Sequence, residues 1–283
     1  MALAINTNIA SINAQRQLLK STNSLGKTFE RLSSGLRINR AADDAAGLSI
    51  STRMTSQIRG GNQAIRNTND AISVVQVADG ALDETTNALQ RIRELAVQGA
   101  NDTLIVGDRQ DLQQEINQLV YEVQRISTET EFNNQKIVNG SFAAKKIQVG
   151  PDGGQTVAVT IATASAKALF GATSLNVKLY STVYTAAQTQ SLANTLIGRV
   201  DSALDSVSDI RSTLGSYQNR FEAVIANLSN IVENTQAARS RILDADIATE
   251  TANLTKNAIL QQAGTAILAQ ANQQPQIALQ LLG

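Results

Sequence analysis

The 283-residue sequence has no cysteine, no histidine and no tryptophan, and only two prolines, Pro151 and Pro275. Without His or Cys there is no Ser-His-Asp triad, no thiol nucleophile, no imidazole or thiolate zinc site and no haem ligand of the usual kind. A disulfide-stapled extracellular module is excluded as well. Aromatic residues are 3% of the chain, too few for base-stacking platforms. No surplus of charge exists either: 24 basic residues balance 24 acidic ones. Phosphate-rich partners need a strong basic excess, so no nucleic-acid partner is expected. No run of 18 apolar residues occurs, so no membrane insertion is expected. The first 15 residues carry no Lys or Arg and space out Leu3, Ile5, Ile9 and Ile12, which is unlike a secretory signal.

What is present is helical periodicity. Ile5, Ile9, Ile12 and Leu19, then after a small shift Leu18, Leu25, Phe29, Leu32 and Leu36, recur at spacings of three, four and seven. Gly35 is a natural terminator. A second helix is predicted over 44–99, with Ile58, Ile65 and Ile72 forming one seven-residue row and Val75, Leu82 and Leu89 the next. A turn follows at 99–107, then a third stripe of Leu112, Ile116, Leu119, Val123 and Ile126. Near Glu131 the period changes. Ile147 and Val149, then Val157, Val159 and Ile161, alternate around Gly150-Pro151-Asp152-Gly153-Gly154, which predicts a β-hairpin. Leu175, Val177 and Leu179 alternate again, so four or five strands are expected over about 140–185.

Helix returns from 186. Val200, Leu204, Val207, Leu214, Phe221, Ile225, Leu228 and Val232 form a seam interrupted by Arg211 and Gln218, as Arg16 and Asp79 interrupt the others. Polar seam positions fix register in coiled coils, or they face water where the seam drifts. A single helix over 189–235 is about 70 Å long at ~1.5 Å per residue. A 283-residue globule has a radius of gyration of roughly 19 Å. The expected fold is therefore mainly α, an elongated antiparallel helical bundle or coiled coil with a small β-hairpin region mid-chain.

The ends complement each other. Residues 1–40 hold six bases (Arg16, Lys20, Lys27, Arg31, Arg37, Arg40) and one acid (Glu30), a balance of +5. Residues 244–283 hold three acids (Asp244, Asp246, Glu250) and one base (Lys256), a balance of −2. From 257 onward no residue is charged, and Leu260, Ala263, Ile267 and Ala271 fall on one face. Such helices order when a neighbour covers them, which points to self-assembly; two solvated helical faces are the alternative.

Several blocks then resemble bacterial flagellin: Asn6-Thr-Asn-Ile-Ala-Ser-Ile-Asn-Ala-Gln15, Leu32-Ser-Ser-Gly-Leu-Arg-Ile-Asn39 and Ala41-Ala-Asp-Asp-Ala-Ala-Gly-Leu-Ser-Ile50. Leu89-Gln-Arg-Ile-Arg-Glu-Leu-Ala-Val-Gln98 and Thr130-Glu-Phe-Asn133 continue the amino-terminal half. Ser240-Arg-Ile-Leu-Asp-Ala-Asp-Ile-Ala248 and Gln270-Ala-Asn-Gln273 resemble the carboxy-terminal blocks. The resemblance spans about 1–140 and 186–283 and implies a short flagellin without separate outer domains. It implies an inner coiled-coil domain from 1–40 with 240–283, and a helical rod domain over 41–239 with the β-rich segment inside it. Ile5, Ile9, Ile12, Leu19, Leu260 and Ile267 are the expected packing residues of the terminal helices.

The resemblance also implies a secreted, homopolymeric flagellar filament subunit used in motility and exported by the flagellar type III apparatus. Its implied partners are a flagellin export chaperone, the filament cap and the hook–filament junction proteins. Gln90, Arg91, Leu95 and Glu115 match the stretch bound by the vertebrate Toll-like flagellin receptor; subunit packing is their primary alternative role. Leu279, Leu281 and Leu282 resemble the Leu-rich end sensed by cytosolic inflammasome receptors, although Gly283 departs from relatives that end in a base. Thr156, Thr160, Thr163, Ser165 and Ser181 are candidates for O-glycosylation. Asn139-Gly140-Ser141 fits the N-glycosylation pattern, a common tripeptide. Asp43 and Asp44, adjacent and without a His, read as helix-start or contact charges rather than a catalytic pair. No cofactor and no catalytic residue is expected. The alternatives are a hook–filament junction protein and a secreted receptor-binding or adhesion module.

Overall fold

The computed structural model describes residues 7–171 and 186–282, with only the backbone described at 186–189 and 275–282. The chain forms α1 (Ile9–Ser34), α2 (Ala45–Gly99), α3 (Val106–Glu129), β1 (Glu131–Phe132), β2 (Gln135–Lys136), β3 (Lys145–Gln148), β4 (Thr156–Val159), α4 (Ala166–Leu169), α5 (Ala186–Leu243) and α6 (Ile247–Leu282). The mainly α fold with a small antiparallel strand pair mid-chain is the one expected from the periodicity. Two compact units divide it. One comprises Met1–Ile58 with Glu233–Gly283, the other Arg59–Val232.

In the 59–232 unit, α2 buries Ala64, Thr68, Ala71, Val75, Ala78, Leu82, Thr85, Leu89 and Ile92. Their spacing alternates four and three, the signature of a helix that faces one seam. The buried hydroxyls of Thr68 and Thr85 donate to the carbonyls of Ala64 and Ala81, at 2.7 and 2.9 Å, so neither is left unpaired. Ile65 and Ile72 flank this row, half-buried. From α5 come Val200, Val207, Leu214, Phe221 and Leu228, every seven residues; from α3, Ile116, Val120 and Val123.

The interruptions of the seam pair with each other. Arg211 of α5 donates through Nε to Asp79 and through Nη1 to Asp83, both at 2.8 Å. These bonds, Asp79's first, hold its guanidinium above the ordinary range. Arg93 of α2 meets Asp201 of α5 at 2.7 Å, so the two helices run antiparallel.

The strands cover part of this core. β3 and β4 pair antiparallel, Lys145 opposite Val159 and Ile147 opposite Val157. Their connection is the expected Gly/Pro turn, and the Asn67 amide of α2 donates to the Gln148 carbonyl at 3.2 Å. Gly60 of α2 lies directly under this turn, with Pro151 filling the space a Cβ would need. A second hairpin, β1–β2, was not legible from alternation, being two residues a side. Its signal is the Asn133-Asn134 pair, at φ +49° and +60°, the left-handed conformations of a two-residue hairpin turn. The alternating Leu175, Val177 and Leu179 lie outside the described residues.

In the other unit, α1 packs antiparallel on α6. Gly35, at φ +70°, ends α1 by donating its N–H to the Arg31 carbonyl at 2.8 Å. The following chain is stitched to the α5–α6 joint: Leu36 bridges Asp244, and the Arg37 and Ala245 N–H groups donate to the carbonyls of Leu243 and Gly35. Asp44 caps α2 by accepting from the Gly47 N–H at 2.8 Å. Asp43 accepts from the Arg40 and Asn39 N–H groups, which hold its carboxyl below the ordinary range.

Candidate functional site

The α1·α6 pair shows how its residues are divided between faces. The covered side chains of the pair mix small, polar and leucine residues: Ser11, Ala14, Leu18, Ser21, Leu25 and Thr28 on α1, with Glu250, Leu254, Gln261, Gly264, Leu268 and Ala271 on α6. A Cβ on Gly264 would meet Leu18 Cδ1 at 3.3 Å, so the helices are close there.

Polar contacts between the two helices, with one supporting bond inside α6, set their register. Arg31 Nη1 bonds Glu250 Oε1 at 3.2 Å, on a carboxylate whose side chain is nine-tenths buried. Asn253 Nδ2 donates to the other oxygen of Glu250 at 3.1 Å. At the opposite end, Ser11 Oγ donates to Asn272 Oδ1 and Asn8 Nδ2 donates to the Ala271 carbonyl, each at 2.7 Å.

Asn8 and Pro275 explain one another. Proline has no N–H, so within α6 Pro275 leaves the carbonyl four residues earlier, that of Ala271, without its helical donor. The Asn8 amide supplies it. Meanwhile Asn8 Oδ1 accepts from the Ser11 N–H at 3.1 Å and caps α1. One side chain thus starts one helix and repairs another. Sequence reasoning missed it, although an Asn ahead of an apolar stripe and a Pro inside another were both visible.

Other large apolar residues stay exposed. Ile9, Leu19 and Phe29 on α1 are each 64% exposed, and Ile259 and Ile267 on α6 are 59% and 57% exposed. Ile12 and Leu260 are exposed with them. Of the expected packing residues, Ile9, Ile12, Leu19, Leu260 and Ile267 therefore stand on the outward faces of the pair, and Ile5 lies outside the described residues. The α6 backbone is helical through Leu279, Leu281 and Leu282, whose side chains are outside the description.

Arg91 and Glu115 meet across α2 and α3. Arg91 Nε and Nη2 bond Glu115 Oε1 at 3.0 and 2.9 Å, and Nη1 bonds Glu94 at 3.0 Å. The bonds to Glu94 and then Glu115 hold the guanidinium above its usual range. Gln90 is exposed beside them. Leu95 does not share that exposure; it is 1% exposed within the core. Four residues advance a helix by slightly more than one turn, and at this edge that small rotation carries Leu95 inward.

Thr156 is exposed on β4. Thr160 is exposed, its hydroxyl accepting from the Ala144 N–H at 3.0 Å. Thr163 and Ser165 are half-buried and bonded to each other at 3.3 Å, and Ser165 caps α4. Ser181 lies outside the described residues. In Asn139-Gly140-Ser141 the Asn139 side chain is engaged, accepting from the Ser141 N–H at 2.9 Å. Among the described residues no three acidic side chains gather at a metal-sized site, and no helix is long and apolar enough to cross a membrane.

These features define a helical structural subunit that carries unburied apolar helix faces at its paired ends. Comparison with known proteins makes the class specific. The model of the bacterial flagellin N-terminal helical region matches residues 5–143, and that of the C-terminal helical region matches 197–282. A flagellin of Halalkalibacterium halodurans is 46% identical over 280 residues, covering 99% of this chain and all of that one. A flagellar filament 33 kDa core protein of Treponema phagedenis is 42% identical over 290 residues, covering 99% and 100%. The solved structure of a Vibrio parahaemolyticus chain named as a flagellar hook-associated protein superposes with a TM-score of 0.58 at 13% identity, covering 71% of this chain and 100% of that one, a likeness of fold.

The chain belongs to the bacterial flagellin family, in its short form. Flagellins are structural proteins that form the flagellar filament, and not enzymes.

Proposed function

We propose that copies of this chain join through α1 and α6 to build the filament, and that this joining is the chain's main task in motility. The observation that carries the reading is the row of large aliphatic side chains left open on both terminal helices. Burying apolar surface is worth about 25 cal/mol per Å², and the single chain leaves this gain unrealised. Leu18, Leu25, Leu254 and Leu268 are already half-covered within the chain, so the outward aliphatics are what a second copy can bury. In this reading residues 1–40 and 240–283 form the inner domain and 41–239 the rod domain. Ile5, Ile9, Ile12, Leu19, Leu260 and Ile267 pack between subunits.

The same exposed faces need cover before assembly. An export chaperone seated on α6 would supply it until the chain passes through the flagellar type III apparatus; the cap then places it at the filament tip, beyond the junction proteins. Gln90, Arg91 and Glu115 form the surface offered to the host Toll-like flagellin receptor, with Leu95 fixing the turn of α2 from within. Leu279, Leu281 and Leu282 form the end that cytosolic receptors sense. Among the described candidate O-glycan acceptors, Thr156 and Thr160 are the exposed ones.

Electron microscopy of the purified monomer, with and without filament seeds, tests the reading. The full chain is expected to give long uniform filaments, and a version lacking residues 1–30 and 244–283 to give none. A full chain that caps or extends foreign filaments without polymerising itself would make it a junction protein. One inert in both assays would leave the receptor-binding reading. Arg91→Ala is expected to weaken receptor activation; unchanged activation would remove the receptor assignment.

A further inference from the structure

The elbow between β2 and β3 carries the one Asn-Gly pair of the chain, Asn139-Gly140. Ile137 and Val138 before it are fully buried, and Phe142 after it is buried as well. The elbow is pinned at both ends. The Ala164 N–H donates to the Val138 carbonyl at 3.0 Å, and the Ile161 N–H to the Phe142 carbonyl at 2.9 Å. Asn139, Gly140 and Ser141 stand exposed between these anchors.

Residue 140 is held as glycine on two counts. Its φ is +88°, a conformation that side chains with a Cβ rarely adopt, and a Cβ there would stand 3.1 Å from Thr163 Cβ. The Asn139 side chain folds back along this glycine. Its Oδ1 accepts from the Ser141 N–H at 2.9 Å, closing an Asx-turn that lays the side-chain carbonyl beside the Gly140 peptide. The Ser141 hydroxyl donates to the Lys136 carbonyl at 3.0 Å, which steadies the donor residue. Among the described residues, nothing accepts from the Gly140 N–H or from Asn139 Nδ2.

These groups are the parts of an intramolecular displacement. The Gly140 nitrogen is the nucleophile, unhindered by any side chain of its own. Asn139 Cγ is the electrophile, a five-membered ring away, so the chain itself supplies the proximity. The Ser141 N–H sits on the oxygen where negative charge develops, as an oxyanion-hole donor does.

We propose that Asn139 is a site of self-modification, where the folded chain loses the side-chain amide in water. Hydroxide removes the Gly140 amide proton, and the nitrogen attacks Asn139 Cγ. The new C–N bond closes a succinimide ring. The Cγ–Nδ2 bond breaks, and Nδ2 takes up a proton and leaves as ammonia. Water then opens the ring. Opening at Cγ gives aspartate, and opening at the Asn139 main-chain carbonyl gives isoaspartate. One water is consumed and one ammonia released, with no change of oxidation state. Aspartate keeps the turn, because its carboxylate accepts the same Ser141 N–H. Isoaspartate adds a methylene to the main chain between two pinned anchors, so the elbow must bulge. Either product adds a negative charge and removes the amide that an N-glycan would need. The reaction requires no second copy of the chain, so it stands apart from the assembly reading.

Asn101 is the built-in comparison. Its Oδ1 accepts from the Thr103 N–H at 3.2 Å, the same turn in an exposed loop. Residue 102 is an aspartate, whose side chain shields the nitrogen that would attack and whose charge opposes loss of its proton. Gly140→Ala would strain the elbow, so this second turn is the cleaner control.

The test is peptide mass spectrometry of the full chain held in mildly alkaline buffer, folded and in guanidinium chloride. Trypsin releases residues 137–145 and 94–109. The first peptide should gain one mass unit, or three in heavy-oxygen water, and a second chromatographic peak should mark isoaspartate. In the folded chain Asn139 should convert about tenfold faster than Asn101, or more. An Asn139 that stays intact in the folded chain while it converts in guanidinium would overturn the proposal, because the fold would then block the attack. Equal rates at Asn139 and Asn101 would overturn the role given to glycine. Asn139→Gln, which needs a larger ring, should show no gain in 137–145. Asn139→Asp should melt as the wild type does, and a lower melting temperature would overturn aspartate as the product that keeps the turn.

Discussion

Gly60 and Gly80 lie in the interior of the same helix, and replacing each by alanine should act with opposite sign. In an exposed helix interior, Ala is favoured over Gly by roughly 1 kcal/mol. Nothing lies within 4 Å of a Cβ built on Gly80, so Gly80→Ala should realise most of that gain. On Gly60 the Cβ would stand 2.9 Å from Pro151 Cβ and 3.1 Å from Pro151 Cα. Both atoms belong to a ring fused to the backbone, so the turn must move bodily. Overpacking of this kind opposes folding by about 1–3 kcal/mol, which outweighs the helical gain. The two variants should therefore differ by about 1–3 kcal/mol, or about 3–10 °C in melting temperature for a unit of this size. Circular-dichroism melting of the monomer reads the difference, and amide exchange in Lys145–Gln148 and Thr156–Val159 locates it. Pro151→Gly removes the colliding Cβ, and in a double-mutant cycle it should relieve much of the Gly60→Ala defect. A Gly60→Ala chain stabilised as much as Gly80→Ala would refute the seating of the hairpin turn on α2.

Asn8→Ala removes the α1 cap and the donor to the Ala271 carbonyl, together about 2 kcal/mol; faster amide exchange in both helices, at 9–12 and 270–274, should follow, and Asn8→Asp should restore the cap but not the second bond. Arg211→Ala leaves Asp79 and Asp83 facing each other four residues apart, and at this partial exposure the loss should be near 1 kcal/mol in urea unfolding and shrink in high salt; Arg211→Lys should recover less than half of it because an ammonium cannot fork between two carboxylates. The Asp246 carboxyl is held below its ordinary range first by the Thr249 hydroxyl, then by the N–H groups of Thr249 and Ala248. Its contribution is therefore complete above the ordinary carboxylate range and is lost as pH falls below about 4. The amide NMR signals of Ala248 and Thr249 should shift in that window and stay fixed in Asp246→Asn.

The long helices were legible because heptad spacing survives any tertiary detail. Val75, Leu82 and Leu89, with Val200, Val207, Leu214 and Phe221, lie in the core as their period requires. The β3–β4 hairpin was legible for a similar reason, since Val157 and Val159 alternate inward around a Gly/Pro turn. Short-range apolarity misled at the ends of the chain. The Ile and Leu stripe of α1 marks the strongest apolar face, and a single-chain reading assigns such a face to the nearest partner helix. The covered side of α1 takes only part of that stripe, Leu18 and Leu25, and combines it with Ser11 and Thr28, and with Gly264 of α6, which carry no hydrophobic signal. Nor could spacing separate the two readings of Arg211 and Asp79. Each looks like a drifting seam alone, and only their apposition across α2 and α5 shows that the polar interruptions are matched.

That division of faces bears on when each contact can form. The leucines covered in this pair, Leu18, Leu25, Leu254 and Leu268, are only half-buried, so α1 and α6 gain modestly from each other beside the bonds at Asn8, Ser11 and Arg31. These bonds set register more than they add stability, because each exchanges a bond to water for one within the protein. The aliphatic faces work in the opposite sense. They have no directional preference, and fully burying one such side chain is worth roughly 1.5–3 kcal/mol. In the proposed assembly, register falls to polar groups inside the pair and adhesion to apolar groups outside it. Exchanging the two would give a monomer whose terminal helices satisfy each other and have nothing left to offer a neighbour. Replacing Ser11 and Gly264 by leucine and alanine should therefore disturb the α1·α6 register first. Replacing Leu19 and Ile267 by serine should leave monomer melting within about 0.5 kcal/mol, as exposed substitutions do, and abolish seeded growth. Seeded growth that survives the loss of both aliphatics would place the adhesive surface elsewhere on the chain.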